Sequence, residues 1–223
     1  MPSVNNKGQL IAFSGIDGAG KSTQIDLLNE HIRKSGAKPT YLWTRGGYTG
    51  PFNTLKNVVR CIMGKKAIPS GRNERRERMI KKPWVRNMWL TLAIVDLFFV
   101  YGVYIRLIRM LNRVVVADRY LWDTWIDFRL NFPEVNIDRL HLWKMLVWFT
   151  PKVDHAFLLL IPIEESIRRS IQKDEPFPDS EETLKRRLEY YKELSLTVDW
   201  TVLNCLRPVE EIADEITDMI KNK

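Results

Sequence analysis

The stretch AFSGIDGAGKSTQ, residues 12–24, constrains the fold of this chain more than any other. It fits G-x-x-x-x-G-K-[ST], with Gly15 and Gly20 at the glycine positions, Lys21 as the lysine and Ser22 as the hydroxyl. The short apolar run LIAFSG (residues 10–15) precedes it. After it, KSTQIDLLNEHIRKSG places Ile25, Leu28 and Ile32 on one helical face, and Gly36 is the stop signal. A strand, a glycine-rich loop and a helix in that order form a phosphate cradle, because loop amides and the helix N-terminus converge on an anion. Gly15, Gly18, Ala19, Gly20, Lys21, Ser22 and Thr23 are the residues expected around those phosphates.

Four more apolar runs follow: PTYLWTRGG, RVVVADRY, VDHAFLLLIP (residues 153–162) and WTVLNCL (residues 200–206). Continuous apolar runs suit parallel strands buried on both faces. Residues 181–195 carry Leu184, Leu188, Tyr191 and Leu194 at helical spacing behind Ser180, a fitting cap. Residues 208–221 align Val209, Ile212, Ile216, Met219 and Ile220, with Pro208 at a helix start. The alternation predicts a doubly wound α/β fold: a five-stranded parallel sheet flanked by helices, with ligands at the carboxyl ends of the strands. At 223 residues the whole chain is expected to form one domain with a small helical lid.

The formal charge of +8 suits a phosphorylated partner. Much of the excess lies in residues 71–86, a basic segment read as mobile surface; no nucleic-acid module accompanies it, and no nucleic-acid partner is expected. Cys61 and Cys205 match no metal-ligand spacing and read as small core residues of a cytoplasmic protein. WLTLAIVDLFFVYGVYI, residues 89–105, is short for a membrane span and has Asp96 at its middle, so it reads as a buried core helix.

Within the loop, Lys21 would neutralise a transferred phosphoryl group and the Ser22 hydroxyl would ligate Mg²⁺, with ATP as the expected donor. Asp17 would be repelled by a triphosphate and should face another partner, such as a sugar hydroxyl. Asp118 and Arg119 follow a strand, where the carboxylate can hold Mg²⁺ through water and the guanidinium can grip an oxyanion. Arg45, in LWTRGG, can clamp a second anion or be an ordinary turn residue. Residues 167–182, IRRSIQKDEPFPDSEE, present Arg168, Arg169 and Lys173 and read as a lid that expels water over the phosphates. His31, His141 and His155 show no metal or catalytic pairing, and the tryptophans of LHLWKMLVWF read as core or as a cover over an acceptor pocket.

Together the GIDGAGKSTQ loop, the TRGG turn, the DRY of Asp118–Tyr120, the basic lid helix and the closing RPVEEIADEI resemble the thymidylate kinase family of nucleoside monophosphate kinases, in order and spacing. The resemblance implies Mg-ATP-dependent phosphorylation of a small phosphate-bearing acceptor, dTMP to dTDP. It implies that Asp17 meets the acceptor's sugar hydroxyl, that Arg45 and Arg119 hold its phosphate beside Tyr120, and that Arg207 sits at the nucleotide. Gly18 follows the loop acid, which matches members whose catalytic cation comes from the lid and points to Arg168, Arg169 or Lys173. Two departures stand out. Ser14 replaces a glutamate, and Leu92 and Asp96 lie close to the places of the phenylalanine and arginine that read thymine. The alternatives are a kinase of another acceptor (a deoxynucleoside, a sugar or a lipid phosphate) or a nucleotide-dependent switch. A hydroxyl acceptor would need a base such as Asp118 or Asp123. The apolar helix at 88–111 could pair two copies in a homodimer, or it or the basic segment could touch a membrane.

Overall fold

The computed structural model describes residues 8–44, 82–173 and 179–221. Strand β1 (Leu10–Gly15) is buried along its whole length, since it hydrogen-bonds to a neighbour on each side and carries helices on both faces. Strands β2 (Pro39–Trp43), β3 (Val114–Asp118), β4 (His155–Leu160) and β5 (Thr201–Asn204) complete a parallel sheet in the order β2-β3-β1-β4-β5. The five strands expected from sequence are all present. The outer two are half open, with intermediate and exposed residues where β1 and β3 are buried throughout.

Helix α1 (Lys21–Lys34) buries Ile25, Leu28 and Ile32 and ends at Gly36, whose φ of 84° only glycine adopts without strain. Helices α6 (Ile163–Gln172), α7 (Glu181–Leu194) and α8 (Val209–Lys221) flank the later strands. Ser180 caps α7 by accepting a hydrogen bond from the Thr183 amide. Residues 174–178 of the expected lid, most of the 71–86 segment, Arg45 and Cys61 lie outside the described residues.

Between β2 and β3 a single rod runs from α2 (Pro83–Leu97) through a π-helical stretch (Phe98–Tyr104) into α3 (Ile105–Met110). It is long and apolar enough to cross a membrane, yet half of its apolar window is buried. Leu90, Ala93, Ile94, Leu97, Tyr101 and Ile105 join the core, as a core helix requires. The opposite side is open, with Phe99, Leu107 and Met110 exposed, which a purely buried reading did not expect. After β3 come α4 (Leu121–Asn131) and α5 (His141–Phe149). On α5, Trp143 is buried while Trp148 is 84% exposed, so the tryptophans there divide between core and surface.

The π-helical stretch coincides with the crossing of α5. Phe98 stacks on Phe149 with ring centroids 4.4 Å apart, and Arg106 donates to the Phe149 carbonyl. A Cβ on Gly102 would overlap the Phe149 ring, which Phe98 prevents from moving away. Gly102→Ala is expected to destabilise by about 1–3 kcal/mol, at roughly 2–4 °C of melting temperature per kcal/mol, and thermal melts check this.

Candidate active site

Strand β1 ends at Gly15, where φ is 143° and a Cβ would overlap the Leu159 carbonyl of β4, so only glycine fits. The chain then turns through Gly18 and Gly20, both at positive φ, and enters α1 at Lys21. The buried Lys21 ammonium donates to the Gly15 carbonyl at 3.0 Å and the Ile16 carbonyl at 2.8 Å. Burial, helped by the Arg119 guanidinium, brings its pKa down to about 8, against the pull of Asp17, Asp118 and Asp123.

The second half of the site comes from β3, paired in parallel with β1 so that Phe13 is level with Asp118. The ladder continues one residue further, as the Arg119 amide donates to the Phe13 carbonyl at 2.9 Å. Arg119 has φ 70°, a conformation that costs a non-glycine residue on the order of 1–3 kcal/mol. It is held there from β2, where the Thr44 hydroxyl donates to the Arg119 carbonyl and itself accepts from Tyr101 of the π-helical stretch.

Side-chain geometry makes the strand ends reactive toward ions. One Arg119 nitrogen donates to Asp17 at 2.6 Å, while its buried Nη1 has no hydrogen-bond partner among the described residues. Asp118 accepts from the Tyr41 hydroxyl through Oδ2, and its Oδ1 is likewise buried without a partner. Burial raises the Asp118 pKa. Such orphaned groups are costly unless a ligand completes them. An open polar cavity joins Asp17, Gly18, Gly20, Lys21, Ser22, Trp43, Asp118, Arg119 and Lys173. Ser22 and Asp118, both lining this cavity, suit Mg²⁺, which takes one or two protein oxygens beside waters and phosphates. Among the described residues no group of three His, Cys, Asp or Glu forms a cage for another kind of ion.

The expected residues divide accordingly. Asp17, Gly18, Gly20, Lys21, Ser22, Asp118 and Arg119 are gathered round one cavity, and of the lid cations Lys173 lines it. Arg169 lies at its back, donating to the carbonyls of Gly18 and Cys205. Arg168 is not brought in, since it is exposed and forks onto Glu165. Arg207 is held by Glu211 and Glu215, Asp96 is buried in α2, and the Tyr120 hydroxyl donates to the Pro151 carbonyl; none of the three lines the cavity. Thr23 is exposed on the first turn of α1, and Ala19 is buried under the loop.

Asp123 is no candidate base, because its carboxylate is buried behind the loop against Ser14, the Tyr120 amide and Tyr191. Asp123 accepts from the Tyr120 amide at the start of α4, but Tyr-x-x-Asp is not the Ser/Thr-x-x-Glu/Gln pattern that announces such a cap in sequence. Sequence reasoning also missed Tyr41, Trp43 and Arg187. The fully buried Arg187 joins Asp127 of α4 to Asp179 at the end of the expected lid, through a pairing over long sequence distance that no local pattern announces.

Curated proteins match the chain over nearly its whole length, among them three thymidylate kinases. A probable thymidylate kinase of Pyrococcus abyssi is 26% identical over 221 residues, covering 97% of this chain and 98% of its own. A probable thymidylate kinase of Methanocaldococcus jannaschii is 28% identical over 216 residues, covering 95% of each. The thymidylate kinase of Prochlorococcus marinus is 27% identical over 223 residues, covering 97% of this chain and all of its own. Over nearly its whole length the chain is similar to proteins named thymidylate kinase. No family model matches it. This similarity agrees with the parallel five-stranded sheet and the phosphate loop at the end of its central strand.

The state of Lys21 gives a pH signature. Its pKa of about 8 lies below the 10.5 of a free lysine, so the unfolded chain binds more protons between those values. This group therefore makes the empty protein more stable as pH rises from about 8 to 10.5. Anion binding needs the charged form and is expected to weaken about tenfold between pH 7 and 9. Calorimetric titration with MgADP at both values checks this, and an unchanged affinity would contradict the assignment.

Proposed function

We propose that this chain transfers the γ-phosphoryl group of ATP to a nucleoside monophosphate, with dTMP as the acceptor and dTDP as the product. The observation that carries the reading is the meeting, in one cavity, of the loop lysine with a strand-end arginine that keeps one buried nitrogen without a hydrogen-bond partner among the described residues. The relatives' names supply the base. In this reading the loop amides and Lys21 hold the donor phosphates, and Lys21 leaves its two backbone carbonyls to do so. Arg119 exchanges part of its contact with Asp17 for the acceptor phosphate, which frees Asp17 to accept from the acceptor's sugar hydroxyl. Arg45, following the same strand-end logic, is a further clamp on that phosphate.

Ser22 and Asp118 would hold Mg²⁺, which supplies charge neutralisation at the phosphate oxygens. Lys173, with Arg169 behind it, stabilises charge on the transferred group from the lid side. No general base is needed, because an acceptor phosphate is already anionic, and positioning with electrostatic stabilisation carries the rate. The chain is proposed to work in the cytoplasm as one kinase domain. The open apolar side of the α2–α3 rod supports pairing of two copies, and light scattering of the purified protein tests that.

A second reading keeps the site and changes the acceptor. It is favoured by Asp96, a buried carboxylate close to the place where the resemblance expects an arginine that reads thymine. ADP release from Mg-ATP with and without dTMP, scored together with dTDP, separates the two. Formation of dTDP supports the first reading, and acceptor-independent ADP release alone contradicts it. Lys21→Ala is expected to lower turnover by roughly 10²–10³-fold. Arg119→Ala is expected to raise the acceptor KM by about 10–100-fold with little change for ATP, and a change confined to ATP would overturn its role.

A further inference from the structure

We infer that Asp123 is a positioning residue for the phosphate loop, supplying from α4 a buried carboxylate beneath the end of β1. The observation is a closed set of hydrogen bonds directly beneath Gly15. The Ser14 hydroxyl donates to Asp123 Oδ2 at 2.6 Å, and the Tyr120 amide donates to the same oxygen at 3.0 Å. The Tyr191 hydroxyl of α7 donates to Asp123 Oδ1 at 2.6 Å and accepts from the Gly15 amide at 3.2 Å. Ser14, Asp123 and Tyr191 are each at most 3% exposed, so water does not substitute for any of these partners.

The consequence is mechanical. Gly15 is gripped at its amide by Tyr191 and at its carbonyl by Lys21, so the atom that fixes Gly15 also fixes the starting point of the lysine. Tyr191 has one proton and two acceptors within reach of it, Asp123 Oδ1 at 2.6 Å and the Gly15 carbonyl at 3.3 Å. The shorter distance directs the proton to Asp123, which turns a lone pair of the hydroxyl toward the Gly15 amide. A carboxylate with three donors is satisfied in a buried site, whereas an amide there would set its own N–H₂ group against a donor. Charge adds to this, because Asp123 is one of the carboxylates that favour the charged form of Lys21.

The hydroxyl is on the strand and the carboxylate on the helix, and exchanging the two would keep one carboxylate and one hydroxyl beneath Gly15. The inference rests on the loop holding a nucleotide and is independent of which acceptor is used.

The test compares Asp123→Asn, Ser14→Glu, Tyr191→Phe and the exchanged double variant Ser14→Glu/Asp123→Ser, by calorimetric affinity for MgADP with thermal melts alongside. Each single variant is expected to bind MgADP more weakly, Asp123→Asn and Ser14→Glu by about 10–100-fold. The double variant is expected to recover to within about threefold of the wild type. A double variant as weak as the product of its singles, or Asp123→Asn binding like the wild type, would overturn the inference. A double variant that fails to fold overturns it too, since the exchange conserves charge, hydroxyl and hydrogen-bond count. MgADP binding needs no acceptor, so a wild type that binds it but forms no dTDP refutes the acceptor and leaves this comparison intact.

Discussion

The parallel pairing of β1 with β3 is the constraint on which the rest of the site depends. It sets Phe13 level with Asp118 and carries the ladder one residue further, to the Arg119 amide. That last bond turns a loop lysine and a strand-end arginine, a hundred residues apart in sequence, into facing walls of one cavity. A register slip of one residue would turn Asp118 and Arg119 to the opposite faces of the sheet. The side chains of Val115, Val116 and Ala117, all buried, make such a slip costly.

Around this frame the protein keeps groups in states that only a ligand relieves. Arg119 sits at positive φ, Lys21 is held by carbonyls at a depressed pKa, and one buried nitrogen of Arg119 and one buried oxygen of Asp118 have no hydrogen-bond partner among the described residues. Such strain persists only when the surroundings over-determine it. The chain from Tyr101 through Thr44 to the Arg119 carbonyl does so on one side of the site. The set formed by Ser14, Asp123 and Tyr191 does so on the other. The π-helical stretch belongs to the same logic, because it carries Tyr101 past the crossing with α5 to reach Thr44.

The phosphate loop, the five strands and the two C-terminal helices were legible because each rests on local pattern: glycine spacing, apolar runs and helical periodicity. Asp118 and Arg119 were legible for the same reason, as charged residues ending an apolar strand. What escaped depends on long-range approach. Arg187 reads as one more cation on a polar helix face until Asp127 and Asp179 close on it. Asp123 reads as a spare acid near the site until Ser14 and Tyr191 are seen to claim it from behind. Arg168 and Arg169 are adjacent in sequence, yet helix geometry sends the first to solvent and the second to the loop backbone. The open side of the α2–α3 rod was hidden because a 17-residue apolar run gives no sign of which side meets the core.

The central claim is that donor and acceptor phosphates meet in this single cavity between Lys21 and Arg119. A two-headed nucleotide, adenosine and thymidine joined through a pentaphosphate, tests it most directly when titrated calorimetrically into the protein alone and into protein saturated with ATP or with dTMP. One cavity requires a single equivalent to bind and either saturating ligand to compete with it. Binding unaffected by both ligands, or two independent equivalents, would contradict the shared site.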